Sequence, residues 1–337
     1  MEKWSVNDSQ THLKGSQEGR AHNVLVTSVS RKAPLVRAMQ EAVRRIHPDA
    51  RVIAGDLDPE APARYVADGF WQMPYITDAE LPALIKGCHE RGIAVVFPTR
   101  DGELLFWARH RATLSEAGIS VVVSNPGAVE RCLDKLAFAH FGSEIGFSVI
   151  KSDTTPEAIG AGPYVVKERY GAGARAIGLD LSIDAARNHA TMLVAPIYQP
   201  FVPGPEISID GWIDRSGVVV GVVLRRRDRV IDGESQITTT LRSEALEREA
   251  VRALETLDLR GPVVMQAIVI DDAMHIIECN PRFGGASTTA IAAGLDVLYW
   301  SLIEAFGYGQ PPVFNRIAGE VRQVRLPADL VLHDLDF

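Results

Sequence analysis

The segment from Val263 to Ser287 restricts the fold more than any other part of the chain: VVMQAIVI, then DDA, then MHIIECNPRFGGAS. Two runs rich in β-branched residues flank a short acidic turn, the pattern of a β-hairpin. With Asp271, Asp272 and Ala273 as the loop, Ile270 pairs with Met274 and Gln266 falls opposite Glu278. Side chains alternate with a period of two along a strand, so Asn280 shares the face of Glu278. A lone polar residue in a strand ordinarily faces water at an edge. Gln266, however, sits between Met265 and Ala267, and Glu278 follows Ile276-Ile277. A carboxylate in such surroundings needs a partner or a metal. Hard cations such as Mg²⁺ take oxygen ligands and accompany phosphates, which makes Gln266, Glu278 and Asn280 candidate metal ligands. Arg282 follows at once, and Phe283-Gly284-Gly285 lets the backbone approach a neighbour closely.

The remaining length has to house that hairpin. At 337 residues the chain is long enough for two or three lobes. Its 46% hydrophobic and 23% charged residues are those of an ordinary soluble globular protein. A net charge of −8 gives no electrostatic reason to expect nucleic acid as a partner. Cys88, Cys132 and Cys279 are far apart with no CxxC pair, which favours a reducing compartment and argues against zinc. No apolar run reaches the ~18 residues of a membrane span, so no membrane partner is expected. Residues 1–22 are polar, lack the apolar core of a signal peptide, and read as a flexible extension. The expected location is the cytoplasm.

From Asn23, short apolar strands (24–27, 51–54, 93–97, 119–123) alternate with amphipathic helical stretches (33–46, 79–91, 101–117). Such alternation predicts a parallel sheet with covering helices, a Rossmann-like domain over 23–125. The first turn, TSVSRKAP, lacks the glycines of a dinucleotide fingerprint, which disfavours a nicotinamide dehydrogenase. The turn Pro98 to Glu103 ends a strand, where open α/β sheets place ligands. Its plain alternative is a solvated loop with Asp101 capping the next helix. Asn125-Pro126 reads as a helix start. Beyond Pro163 the pattern changes to short strands at 164–168, 176–179, 193–198, 206–213 and 218–225. Ser243 to Leu257 reads as a helix, Ser287 as the cap of another ending at Gly294, and Asp296 as the start of a last one.

Lys167 ends a strand just ahead of Gly171-Ala172-Gly173-Ala174, an arrangement in which backbone N–H groups can cradle phosphate oxygens while an ammonium supplies charge. A glycine-rich hairpin tip would look the same. Arg225 and Arg227 share a strand face by alternation, and either one can point toward phosphates.

In order, the chain presents Lys135, Lys167 with its small-residue loop, Gln199-Pro200-Phe201-Val202, Glu206, Gln266, and Glu278-x-Asn280-Pro281-Arg282. This order resembles the ATP-grasp superfamily, above all the synthetase domains of carbamoyl-phosphate synthetase and free-standing carboxylate–amine ligases. The likeness runs from Asn23 to about Gly309, and its specific part is E-x-N-P-R at the end of the hairpin. It implies an α/β chain with a Rossmann-like domain at 23–125 and a two-lobed α+β ATP-grasp domain at 126–310. The small lobe would span about 126–198 and the large lobe about 199–310, with a C-terminal segment at 311–337.

The resemblance also implies roles. Lys135, Lys167, Gly171 and Gly173 would meet the phosphates of ATP. Gln199 and the backbone of Phe201 and Val202 would hold the adenine edge, and Glu206 the ribose. Gln266, Glu278 and Asn280 would bind Mg²⁺, with Mn²⁺ as a substitute, and Arg282 would face the acyl substrate or transferred phosphoryl group. The implied activity joins a small-molecule carboxylate to an amine through an acyl phosphate, with release of ADP and phosphate. The loop at 169–175 would close over ATP, leaving Arg169 open to proteases beforehand. A bicarbonate-phosphorylating subunit like carbamoyl-phosphate synthetase is the alternative, and a non-catalytic ATP-binding regulator is an alternative of another kind. A homodimer is compatible with either.

Overall fold

The first sheet is built from Val, Leu and Ile runs too apolar to face water on either side. The computed structural model describes residues 22–171, 176–326 and 328–332. In it, β1 (Asn23–Thr27), α1 (Ala33–Arg44), β2 (Val52–Asp56), β3 (Gly69–Gln72), α2 (Leu81–Glu90), β4 (Ile93–Phe97), α3 (Asp101–Arg109), α4 (Arg111–Glu116) and β5 (Ser120–Val121) follow one another. The strands form a parallel sheet in the order β3-β2-β1-β4-β5. Period-two alternation splits β1 between two cores. Val24 and Val26 pack with α1, whereas Leu25 packs with α2 and α3 through Leu84 and Trp107. The single helix expected over 101–117 is broken at His110, which leaves helical torsions (φ −95°, ψ 6°) with its ring tied to Asp78 at 2.9 Å. The strand expected over 119–123 is reduced to Ser120–Val121, an edge strand that makes one further bond, Val122 N–H to Val96 carbonyl, before turning away.

Next come α5 (Pro126–Leu133), α6 (Lys135–Ile145) and α7 (Pro156–Ile159), then a small antiparallel sheet. It comprises β6 (Tyr164–Glu168), β7 (Gly178–Leu181) and β8 (Pro196–Pro200), in the order β7-β6-β8, with α8 (Ile183–Ala190) inserted. Both outer strands begin later than expected. Ala176 takes a left-handed conformation (φ 52°), and the turn after α8 uses residues 191–193, with Leu193 N–H bonded to Ala190 carbonyl. Tyr164, Val166 and Tyr198 form a core with Ala186 of α8. Lys167 points to the opposite face.

The largest sheet is antiparallel. It contains β9 (Glu206–Ile213), β10 (Val219–Ile231), β11 (Glu234–Leu241), β12 (Gly261–Ile270), β13 (Ala273–Asn280) and β14 (Arg322–Val324), in the order β13-β12-β9-β10-β11-β14. Ile207, Ile209, Leu224, Met265 and Ala267 cover α9 (Glu244–Thr256) through Leu246, Ala250 and Leu254. The other face is polar, and the register explains it: Arg225, Ser208, Gln266 and Glu278 lie side by side across four strands. The next row places Asp210 and Asn280 on that same face, separated by Val264.

The hairpin corrects one expectation and keeps its consequence. The turn has two residues, Asp271 and Asp272, both at positive φ (47° and 61°), as a type I′ turn requires. Ile270 therefore pairs with Ala273, not Met274. A register shift between Gln266 and Ala267 then absorbs the one-residue difference, and Gln266 still faces Glu278. The chain continues into α10 (Thr288–Ala292) and α11 (Val297–Ala305). Among the described residues no helix is long and apolar enough to cross a membrane.

Candidate functional site

The polar face of the six-stranded sheet meets the Lys167 face of the three-stranded one. Glu278 is at the centre. Its Oε1 accepts from Asn280 Nδ2 at 3.1 Å. With the Gln266 amide turned to satisfy both neighbours, its nitrogen donates to Glu278 Oε1 at 2.9 Å and its oxygen accepts from Arg227 Nη1 at 3.2 Å. Lys135 Nζ lies 3.9 Å from Glu278 Oε2 and donates to the Gly171 carbonyl at 2.5 Å. Lys135 is the first residue of α6, whose N-terminus is capped by Asp134 through the amides of Leu136 and Ala137. Lys167 is buried. Burial pushes its ammonium down to about 8 from the ordinary 10.5, Glu278 and Glu206 pull it back up, and Lys135 adds to the depression. Two lysines, one from α6 and one from β6, thus converge on one carboxylate from the large sheet.

Among the described residues no three His, Cys, Asp or Glu side chains gather to hold a metal. One carboxylate with two amides, Glu278 with Gln266 and Asn280, could instead offer oxygen donors to a Mg²⁺ that brings its own phosphate oxygens and waters. The residues present fit such an ion.

The remaining expected residues are placed less uniformly. Gln199 is buried, and its Nε2 donates to Ser152 Oγ at 2.7 Å. The Phe201 N–H is already bonded to the Pro163 carbonyl at 2.8 Å, which leaves carbonyls and the Val202 N–H for any base edge. Glu206 is ion-paired with Arg227, whose other donors reach Ser235 Oγ (3.2 Å) and the Gly233 carbonyl (2.6 Å). Gly173 and its neighbours 172–175 lie outside the described residues. Arg169, expected as an open protease site, is clasped by Asp134, Nε to Oδ1 at 2.7 Å and Nη2 to Oδ2 at 2.5 Å. Its backbone is bonded to both Ala195 and Lys135. Burial alone would raise the Asp134 carboxyl, but Arg169, the Ala137 amide and Tyr170 hold it below its ordinary value.

Several partners escaped the sequence reading because they are distant in the chain. Arg282 forms a two-point ion pair with Asp101, Nε to Oδ1 at 2.6 Å and Nη2 to Oδ2 at 2.9 Å. Burial works against that guanidinium, yet Asp101 and Glu278 more than offset it and leave its pKa raised. Asp101 is therefore not the helix cap. Glu103 takes the amides of Thr99 and Arg100, each at 3.0 Å, at the start of α3. Arg225 pairs with Asp210 at 2.6 Å, both fully buried, and the Ser287 hydroxyl also donates to Asp210. Ser287 is accordingly turned away from capping α10 and accepts the Gly284 N–H at 3.0 Å. A signal for Asp210 was available: Glu206, Ser208 and Asp210 alternate with isoleucines in EISIDGWI.

Comparison with known proteins bears on the fold. Residues 24–122 match the family described as "PylC-like, N-terminal domain", and residues 188–324 match "ATP-grasp in the biosynthetic pathway with Ter operon". The carbamoyl phosphate synthase large chain of Paenarthrobacter aurescens is 25% identical over 195 residues, half of this chain but only 17% of that relative. The biotin carboxylase domain of Hydrogenobacter thermophilus 2-oxoglutarate carboxylase, solved with MgADP and bicarbonate, superposes with a TM-score of 0.70 at 17% identity. That match covers 89% of this chain and 73% of the other. N5-carboxyaminoimidazole ribonucleotide synthetase from Thermus thermophilus has a TM-score of 0.69 at 20% identity, over 89% and 82% of the two chains. An L-amino acid ligase from Bacillus licheniformis has 0.64 at 16%, over 86% and 75%. With its parallel-sheet domain and two facing antiparallel sheets, the chain shares the fold of these enzymes, and residues 188–324 match an ATP-grasp family model.

Proposed function

We propose that the protein activates a small-molecule carboxylate with ATP and passes the acyl group to an amine, releasing ADP and phosphate. The observation that supports this most directly is the convergence of Lys135 and buried Lys167 on Glu278 across the gap between the two sheets. A carboxylate oxygen is a poor leaving group, so the carboxylate must first be made an acyl phosphate. Phosphoryl transfer is catalysed chiefly by positioning and by offsetting charge. Lys167 and Lys135 would hold phosphate oxygens from the small-lobe side. Gln266, Glu278 and Asn280 would hold Mg²⁺, which supplies charge neutralisation on the phosphates. Arg282, kept in place by Asp101, would orient the carboxylate. Glu206 would meet the ribose by exchanging part of its pairing with Arg227, and the segment 199–202 would border the base.

The test is ADP release by the purified chain with Mg²⁺, measured against a matrix of carboxylic acids and amines. The reading requires release that depends on both an acid and an amine. Release with bicarbonate alone would favour the carbamoyl-phosphate synthetase-like alternative. ATP binding without release under any pairing would make the protein a nucleotide-binding regulator.

A further inference from the structure

The carboxyl edge of the parallel sheet carries polar groups that the nucleotide face leaves unused. Lys32 Nζ donates to the Ser28 carbonyl at 2.7 Å and to Thr99 Oγ1 at 2.9 Å, which leaves a third proton for another acceptor. Asp56, ending β2, accepts the Ser30 N–H at 2.8 Å with one oxygen and the Asp58 N–H at 3.1 Å with the other. Its carboxylate is thus fixed, yet among the described residues it has no cationic partner within ion-pair distance. Arg100 is exposed and likewise forms no ion pair among the described residues. Asp56 and Arg100 border a crevice of about 80 Å³ that is completed by Ser28, Leu57, Met73, Pro74, Tyr75 and Ile76.

Two further observations mark the crevice as built for a ligand. Ser28 and Ser30 both hold positive φ (49° and 42°), where serine is strained by ~1 kcal/mol or more each. That conformation is what aims the Ser28 carbonyl at Lys32 and the Ser30 N–H at Asp56. Arg282 also connects the two regions, since its charge acts on both Lys32 and Glu278.

An anionic wall, a cationic wall and an apolar floor in a space of a few heavy atoms complement the head group of an α-amino acid zwitterion. We propose that this crevice binds the acyl donor of the ligase as a free α-amino acid, its ammonium on Asp56 and its carboxylate on Arg100. The assignment rests on the ligase reading above. Asp56 favours the protonated amine, so the bound amino acid has no nitrogen lone pair with which to attack a second acyl group. Its carboxylate oxygen attacks the γ-phosphorus, and the bond from that phosphorus to ADP breaks. The second substrate's amine then attacks the carbonyl carbon, the bond to phosphate breaks with its electron pair, and the amine proton passes to solvent. One substrate is kept as acid and the other as amine, which sets the direction of ligation.

Binding is tested first without nucleotide, by thermal shift and ligand-observed NMR with pools of proteinogenic L-amino acids and their D-enantiomers. For each hit, the N-acetyl and α-amide derivatives should bind at least tenfold more weakly. Asp56→Asn and Arg100→Met should each raise the amino-acid Kd at least tenfold while leaving the KM for ATP within about twofold. If Asp56→Asn fails to fold, Arg100→Met decides, because that side chain is exposed and unpaired. The inference is overturned if no pool binds, if an N-acetyl derivative binds as well as its parent, or if Arg100→Met leaves Kd unchanged. Amino-acid binding with no ADP release from any amine would sink the ligase reading and leave the crevice assignment standing. Release driven equally by acids lacking the amino group would do the reverse.

Discussion

Replacing Lys167 with methionine should stabilise the nucleotide-free protein while disabling it. The side chain is buried at 5% exposure, and burial lowers its pKa from 10.5 to about 8 even though Glu278 and Glu206 pull the other way. At ~1.4 kcal/mol per pH unit, holding that proton in the folded state costs about 3 kcal/mol. Methionine keeps the aliphatic stem and removes the charge; the attraction of Glu278 and Glu206 is already contained in that figure, and imperfect packing of the sulfur offsets part of it, so a net gain of about 1–3 kcal/mol is expected at pH 7. For a chain of this size that raises the melting midpoint by roughly 1–4 °C. The pH dependence has a definite sign. The folded protein binds this proton less tightly than the unfolded chain, so the cost is full below pH 8, where both states are protonated. Between pH 8 and 10.5 only the unfolded chain holds the proton, wild-type stability rises relative to the variant, and the advantage of Lys167→Met shrinks. Differential scanning calorimetry at pH 7 and pH 9.5, paired with calorimetric titration of Mg²⁺-ATP, reads both effects. Nucleotide affinity should fall well beyond tenfold. A lower midpoint for the variant at pH 7 with unchanged ATP affinity would refute the reasoning, because Lys167 would then be a structural residue satisfied within the fold.

Three other perturbations follow from the same geometry. Glu278→Gln keeps the shape of the ligand set but removes its one carboxylate, so ADP release should drop by orders of magnitude with an unchanged circular dichroism spectrum; near-normal release would exclude Glu278 as a metal ligand. Asp101→Asn halves the ion pair that fixes Arg282 and should cost ~1–3 kcal/mol in denaturant unfolding, lowering turnover more than ATP affinity; the opposite split would place Arg282 on the nucleotide. Arg225→Met leaves Asp210 buried with only Ser287 and should cost ~3–5 kcal/mol, while the double change Arg225→Met with Asp210→Leu should recover part of it. A midpoint shift below ~1 kcal/mol for the single change would mean water reaches Asp210.

Much of this protein was legible in local order. Period-two alternation in VVMQAIVI and MHIIECN gave the hairpin and the facing of Gln266 and Glu278, and it survived a misjudged turn because a bulge compensated the register. Strand–helix alternation from Asn23 gave the parallel sheet, since a strand buried on both faces must be uniformly apolar. The E-x-N-P-R motif carried the family resemblance. Partner choice was a different matter. Arg282 and Asp101 are 181 residues apart, Arg225 and Asp210 sit on neighbouring strands, and Lys32 reaches Thr99 across the sheet edge. A charged side chain takes its partner from whatever the fold brings within a few ångströms, and sequence periodicity says which face it occupies but not what arrives there. For that reason the sequence by itself determined most of the elements, the faces they bury and the family resemblance. Only the tertiary structure decided that Glu206 is paired with Arg227 and Arg225 with Asp210, that Arg169 is clasped by Asp134, and that Asp56 and Arg100 border one crevice with no ion pair among the described residues.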